Sequence, residues 1–222
     1  MIILKDVNLA YSKDYNALMN INLEIKTGET VAIVGGPGCG KTALLRVIAG
    51  LETIKSGATF LKDTPIKKIN FSRDVSLGYI THKAIFFEKK SVQKNLEWIL
   101  KVHKIDKSQR KQLIDKALND YEISHLAEEK IGTLCESDRR LVQIARLSLR
   151  PLEILLCDNI LTNKDTVTEE KVKNALKKFL STLSKDRIFI IATENEDIAK
   201  EFDAKIIKLE LGSIIGNDNE EE

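Results

Sequence analysis

No stretch of this sequence approaches the eighteen or so consecutive apolar residues of a membrane-spanning helix, and no fixed-period repeat runs through it. The opening MIILKDVNLAY carries Asp6 where a secretory leader needs a longer apolar run, so the chain is expected to stay in the cytoplasm. Excess charge of either sign is also missing. A formal net charge of +2 gives no electrostatic reason to expect a nucleic-acid partner. Cysteine is scarce: Cys39, Cys135 and Cys157 stand far apart, without the paired spacing of a zinc site or a disulfide framework, and read as reduced, packed thiols.

What remains is ordinary globular material. With 222 residues, 43% hydrophobic and 31% charged, the chain can bury one substantial core with an inserted lobe, and it is short for two independent folds. Near the N-terminus Ile3, Val7, Leu9 and Tyr11, then Leu18, Ile21, Leu23 and Ile25, alternate with the period of strands, predicting a β-rich lobe. TVAIVGG reads as a buried parallel strand. The TALLRVIAGL that follows carries Leu44, Leu45, Ile48 and Leu51 at helical spacing. From about 83 to 150 the chain reads as helices, with Ser91 as an N-cap and Leu113, Ala117, Leu118 and Tyr121 along one stripe. Two more apolar runs, EILLCD and RIFIIAT, are separated by a lysine-rich helix, and such alternation predicts a parallel sheet. The expected architecture is therefore α/β, with a mostly parallel core sheet, an N-terminal antiparallel β lobe and an inserted helical subdomain. As one domain it comprises 1–82 and 151–216 as core with β lobe, 83–150 as helical subdomain and 217–222 as an acidic tail. The lysines and arginine between Lys101 and Lys116 read as a solvated helix face before they read as a site for an acidic partner.

One motif carries chemistry outright. GGPGCGKT, Gly35 to Thr42, satisfies G-x-x-x-x-G-K-[ST] between a strand and a helix, the phosphate-binding P-loop context. Gly35, Gly36, Pro37, Gly38, Cys39 and Gly40 would curl the backbone so that N–H groups, with those of Lys41, Thr42 and Ala43, face one anion at a helix N-terminus. Lys41 would pair with the β- and γ-phosphates, and Thr42 would offer its hydroxyl to Mg²⁺. Asp158, at the tip of EILLCD, is the carboxylate that such a metal needs on a neighbouring strand.

At this point the order of features resembles the ATP-binding cassette (ABC) family over nearly the whole chain. Tyr11 matches the family's adenine-stacking aromatic residue. GYITH, Gly78 to His82, matches the loop leading into its helical subdomain, and LCESDRRLVQIARLSL matches its signature helix. EILLCDN with the later Asp165 matches the Walker B strand and the loop after it, and AKIIKLELGSII resembles the closing hairpin. The resemblance implies ATP and Mg²⁺ as ligands, a second ABC subunit in a homo- or heterodimer, and membrane-spanning transporter subunits. It also implies a location on the inner face of the cell membrane through such a partner.

The departures from the pattern bear on turnover. Where the family has its Walker B glutamate this chain has Asn159, whose amide cannot take a proton from water. Glu194 stands in place of the switch histidine, an anion facing an anion, and His82 in place of the coupling-loop glutamine, where a ring nitrogen could still face metal. The signature L-S-G-G-Q is replaced by Leu134, Cys135, Glu136, Ser137 and Asp138. Asn159 and Glu194 thus hold degenerate catalytic positions, and slow or absent hydrolysis is expected. Two alternatives stay open: a divergent active ATPase in which Glu194 orients the attacking water, and a regulatory pseudo-ATPase without a membrane partner.

Overall fold

Alternating apolar residues at the N-terminus form two long antiparallel strands, β1 (Ile2–Ala10) and β2 (Asn16–Ile25). A computed structural model describes residues 1–12, 15–71, 74–81, 84–161 and 166–215 of the chain. The alternation in these strands is interrupted rather than regular. Asp6 and Asn20 both sit at φ 48°, and the register between the strands shifts on either side of Val7. Ile2 and Leu4 therefore face the core before the shift and Val7 and Leu9 after it, while Ile3, read from the sequence as inward, is only half-buried.

After β3 (Thr30–Val34) and α1 (Lys41–Ile48) the chain adds β4 (Ser56–Leu61) and β5 (Thr64–Pro65), completing a four-stranded sheet in the order β2-β1-β4-β5. In α1, Leu44, Leu45 and Ile48 are buried as the spacing predicts. Leu51 lies beyond the helix end and is 54% exposed, because the helix stops at Ile48 and its face is not continued.

β6 (Leu77–Thr81) leads into the helices α2 (Val92–Val102), α3 (Lys107–Asp120) and α4 (Glu136–Ser148). Then follow β7 (Ile154–Asp158), α5 (Thr166–Thr182), β8 (Ile188–Thr193), α6 (Glu196–Glu201), β9 (Lys205–Glu210) and β10 (Ser213–Ile215). These strands build a six-stranded sheet in the order β10-β9-β3-β8-β7-β6. β3 pairs in parallel with β8 and β9, and β7 with β8, whereas β10 returns antiparallel on β9. Every residue of β7 and β8 is buried, which is why both strands read as unbroken apolar runs instead of alternating ones.

The chain divides into two compact units. Described residues 1–79, 152–161 and 184–215 form the first, and 80–81, 84–151 and 166–183 form the second. The sequence reading draws its line at 82 and 151; in the structure α5 groups with the helical unit, where its apolar face with Val172, Leu176 and Phe179 buried packs beside α4. Within that unit Ser91 caps α2, its side chain accepting from the Lys94 N–H at 3.4 Å. The α3 stripe is buried at Ile114, Ala117 and Leu118. Leu113, assigned to that stripe from the sequence, is exposed because Ile114 takes the inward position. Among the described residues no helix is long and apolar enough to cross a membrane.

Candidate nucleotide-binding site

The register of the parallel sheet decides which residues meet. Val34 pairs with Thr193 and Asp158 with Ala192, so Gly35, Asn159 and Glu194 emerge side by side from the C-terminal ends of β3, β7 and β8. Two bonds tie these tips together: Gly35 N–H donates to Thr193 O at 3.3 Å and Asn159 N–H to Ala192 O at 3.1 Å. That edge of an open parallel sheet is where ligands bind in such folds.

The loop from Gly35 to Gly40 is pinned on its outer side. A Cβ on Gly35 would stand 2.2 Å from Leu209 O, and one on Gly40, at φ +109°, would stand 2.6 Å from Ala17 O. Only glycine lets the loop pass so close to β9 and β2. Gly212 N–H reinforces the closure by donating to Cys39 O at 2.9 Å. Sequence reading assigns no part in the loop to Gly212, and only its place in the closing hairpin hinted at one. At Gly36 and Gly38, by contrast, an added Cβ would meet nothing within 4 Å, so the loop is uncrowded at those two positions.

Lys41, buried at 7% exposure, turns its ammonium into the curl, donating to Gly35 O at 2.7 Å and Gly36 O at 2.8 Å. α1 starts at Lys41 behind Gly40, with no side-chain cap and no acidic residue in its first turn, so its leading N–H groups and dipole favour an anion. Thr42 Oγ1 donates to Asp158 Oδ1 at 3.0 Å. That contact joins the motif threonine to the carboxylate 116 residues away, and the paired oxygens are the donor type that a hard divalent cation takes. Asp158 has a second partner: Tyr79 OH, on β6, donates to Oδ2 at 3.1 Å. Burial first, then the Asp158 charge, hold the Tyr79 hydroxyl far above the usual phenol range, so it stays a donor. Sequence reading quoted Tyr79 only as part of GYITH and gave it no role, since nothing local records its bond to a residue 79 positions on.

Tyr11 lies just past the end of β1, about half exposed, stacked on Tyr15 with ring centroids 6.2 Å apart and 17° between planes. Its hydroxyl donates to Glu52 Oε1 at 3.4 Å, and Arg46 Nε donates to the same oxygen at 2.7 Å. Asn159 is half-buried and holds φ 51°, whereas Glu194 is exposed. His82 and Asp165 lie outside the described residues, as does the tail 217–222.

In the second unit the signature segment forms the start of α4, with Cys135 at the N-cap. Glu136 pairs with Arg140, and Asp138 accepts from the Cys135 thiol at 3.1 Å. Cys135 is exposed, which corrects the sequence reading of three packed thiols: a helix N-cap faces outward, whereas Cys39 and Cys157 are buried as expected. Burial pushes the Cys157 thiol well up, keeping it inert.

A glycine loop opening a helix behind a parallel strand, with its threonine tied to an aspartate on the next strand but one, defines a P-loop nucleotide-binding protein. Within that class the chain belongs to the ABC transporter family, whose profile matches residues 18–162. It is 30% identical over 213 residues to the maltose/maltodextrin import ATP-binding protein MalK of Vibrio cholerae, covering 96% of this chain and 56% of that one. To the sn-glycerol-3-phosphate import ATP-binding protein UgpC of Psychromonas ingrahamii it is 29% identical over 212 residues, covering 95% and 56%. The chain thus spans about half the length of the curated relatives it matches. Among solved structures, the dimeric ATP-binding cassette MJ0796 shares the fold with a TM-score of 0.83 at 24% identity over 97% of both chains. ATP with Mg²⁺ is the ligand of this family, and the oxygen donors of Thr42 and Asp158 beside the loop fit it.

Proposed function

We propose that this chain is the ATP-binding subunit of an ABC-type transport or envelope complex, one that grips MgATP and turns it over slowly or not at all. The observation that carries the reading is the make-up of the strand tips: Lys41, Thr42 and Asp158 supply a grip, and the tip residue next to Asp158 is Asn159 instead of a carboxylate. In this reading the Gly35–Ala43 backbone and Lys41 hold the phosphates, Tyr11 stacks on the base, and Thr42 and Asp158 hold Mg²⁺ with His82 as a further ligand. Held there, Mg²⁺ would supply charge neutralisation to the phosphates. Asn159 can orient a water but cannot take its proton, and a missing general base slows such steps by about 10²- to 10⁴-fold.

The relatives named for import of maltodextrin and glycerol phosphate support membrane-spanning subunits of an import system as partners. The dimeric cassette among the fold neighbours supports pairing with a second ABC subunit. Such a complex would hold the chain at the cytoplasmic face of the membrane. A second reading is favoured by one observation: β7 and β8 are adjacent, so Glu194 follows directly on the tip beside Asn159 and is a candidate for the missing carboxylate.

Calorimetric titration of ATP with and without Mg²⁺, then phosphate release from the purified chain, tests both readings. We expect Mg²⁺-dependent binding that Lys41→Ala abolishes, and phosphate release no faster than in that variant. Brisk release would overturn the low-turnover claim. A Glu194→Gln protein releasing phosphate as fast as the parent would then remove Glu194 from the account.

A further inference from the structure

Asp158 is buried at 8% exposure, yet as a carboxylate it must present one oxygen toward Thr42 and the glycine loop. A carboxylate on a short side chain rotates readily about its last bond, so something must fix its plane. Thr42 cannot do this alone, because one hydrogen bond to Oδ1 at 3.0 Å leaves the other oxygen to swing. The second oxygen is held from the opposite side by Tyr79, whose OH lies 3.1 Å from Oδ2. Tyr79 itself is anchored in β6, and its ring packs against the buried core. A tyrosine has only two side-chain torsions, so its hydroxyl acts as a rigid strut.

We propose that Tyr79 is a positioning residue for the metal half of the site: by holding Oδ2 it orients Asp158 so that Oδ1 and the Thr42 hydroxyl together face Mg²⁺. The inference rests on the reading of the Gly35–Thr42 loop as an MgATP site and assigns part of the metal dependence of that site to a residue that is not itself a metal ligand. Groups that hydrogen-bond to metal ligands typically contribute about 10- to 100-fold to metal affinity. Removing only the hydroxyl should therefore weaken the Mg²⁺-dependent part of nucleotide binding and leave the phosphate grip of the loop and Lys41 untouched.

The test is calorimetric titration of ATP into the parent, Tyr79→Phe and Tyr79→Met, each in excess Mg²⁺ and again in EDTA. Methionine is a flexible apolar filler with no hydroxyl donor, so it carries the test should phenylalanine disturb the fold. All three proteins are expected to bind ATP equally in EDTA, while the gain in affinity brought by Mg²⁺ shrinks about tenfold or more in both variants. An undiminished Mg²⁺ gain would overturn the role of Tyr79 and leave the nucleotide reading intact. Equal losses with and without metal would also overturn it, by showing a general packing role. If the parent bound no ATP in either buffer, the underlying reading would fall and this inference with it.

Discussion

Asn159 occupies a backbone conformation that most side chains resist. At φ 51° it lies in the left-handed region, where asparagine is tolerated, glycine is at ease and other L-residues are strained by about 1–2 kcal/mol. Its N–H is fixed to Ala192 O, so the backbone cannot relax without losing a bond between strand tips. Asn159→Glu should therefore lower the melting temperature, by about 2–4 °C for each kcal/mol of strain in a chain of this size. Asn159→Gly should lower it less. Equal melting temperatures for the two variants would show that no strain resides there. Residue identity alone gave away the loop, because Gly35, Gly40, Lys41 and Thr42 come at a spacing that only a phosphate cradle demands. Tyr79 and Glu52 were illegible for the opposite reason: Tyr79 bonds Asp158 79 positions away and Glu52 accepts from Tyr11 41 positions away, and no local pattern records such contacts.

Among the elements, α2 shows how a start signal and its reinforcement differ in visibility. Ser91 before an apolar periodic run is a readable cap, and it bonds the Lys94 N–H. Asn95, one turn further on, carries no such signal and is 2% exposed. Its Oδ1 accepts from Phe87 N–H at 2.9 Å, and its Nδ2 donates to Ser91 O at 2.9 Å and Phe87 O at 3.2 Å, lacing the preceding loop to the helix. Ser91→Ala should cost about 1 kcal/mol, the ordinary loss of a cap. Asn95→Ala should cost more, about 2–3 kcal/mol, since it orphans buried backbone groups as well as removing bonds. Urea unfolding of the two variants reads the order directly, and a smaller loss at Asn95 than at Ser91 would contradict it. The strands of the β lobe teach a related lesson. Period-two alternation identified β1 and β2, but the phase shift at Asp6 and Asn20 depends on bulges that only the pairing of the two strands creates.

At the scale of the whole molecule, the parallel sheet was legible because β3, β7 and β8 are buried runs separated by amphipathic helices. Which helix goes with which unit was not, because the apolar stripe of α5 declares a buried face without naming the surface that covers it. The same limit applies to assembly, and there an experiment can replace the missing signal. If two copies pair head to tail, each site would join the loop and Asn159 of one chain to the signature helix of the other. A pair of identical chains therefore puts both defects in both sites. Restoring only the base with Asn159→Glu, or only the signature with Cys135→Ser, Glu136→Gly, Ser137→Gly and Asp138→Gln, leaves every site with one defect. Mixing the two single-repair proteins creates something neither contains: a dimer in which one site has both repairs and the other has none. With free exchange half the dimers are mixed, so phosphate release should reach about a quarter of that of a chain carrying both repairs, while each protein alone stays near the parent. Recovery on mixing would require that the site is shared between two chains, and its absence, with the doubly repaired chain active, would mean that this polypeptide completes its site alone.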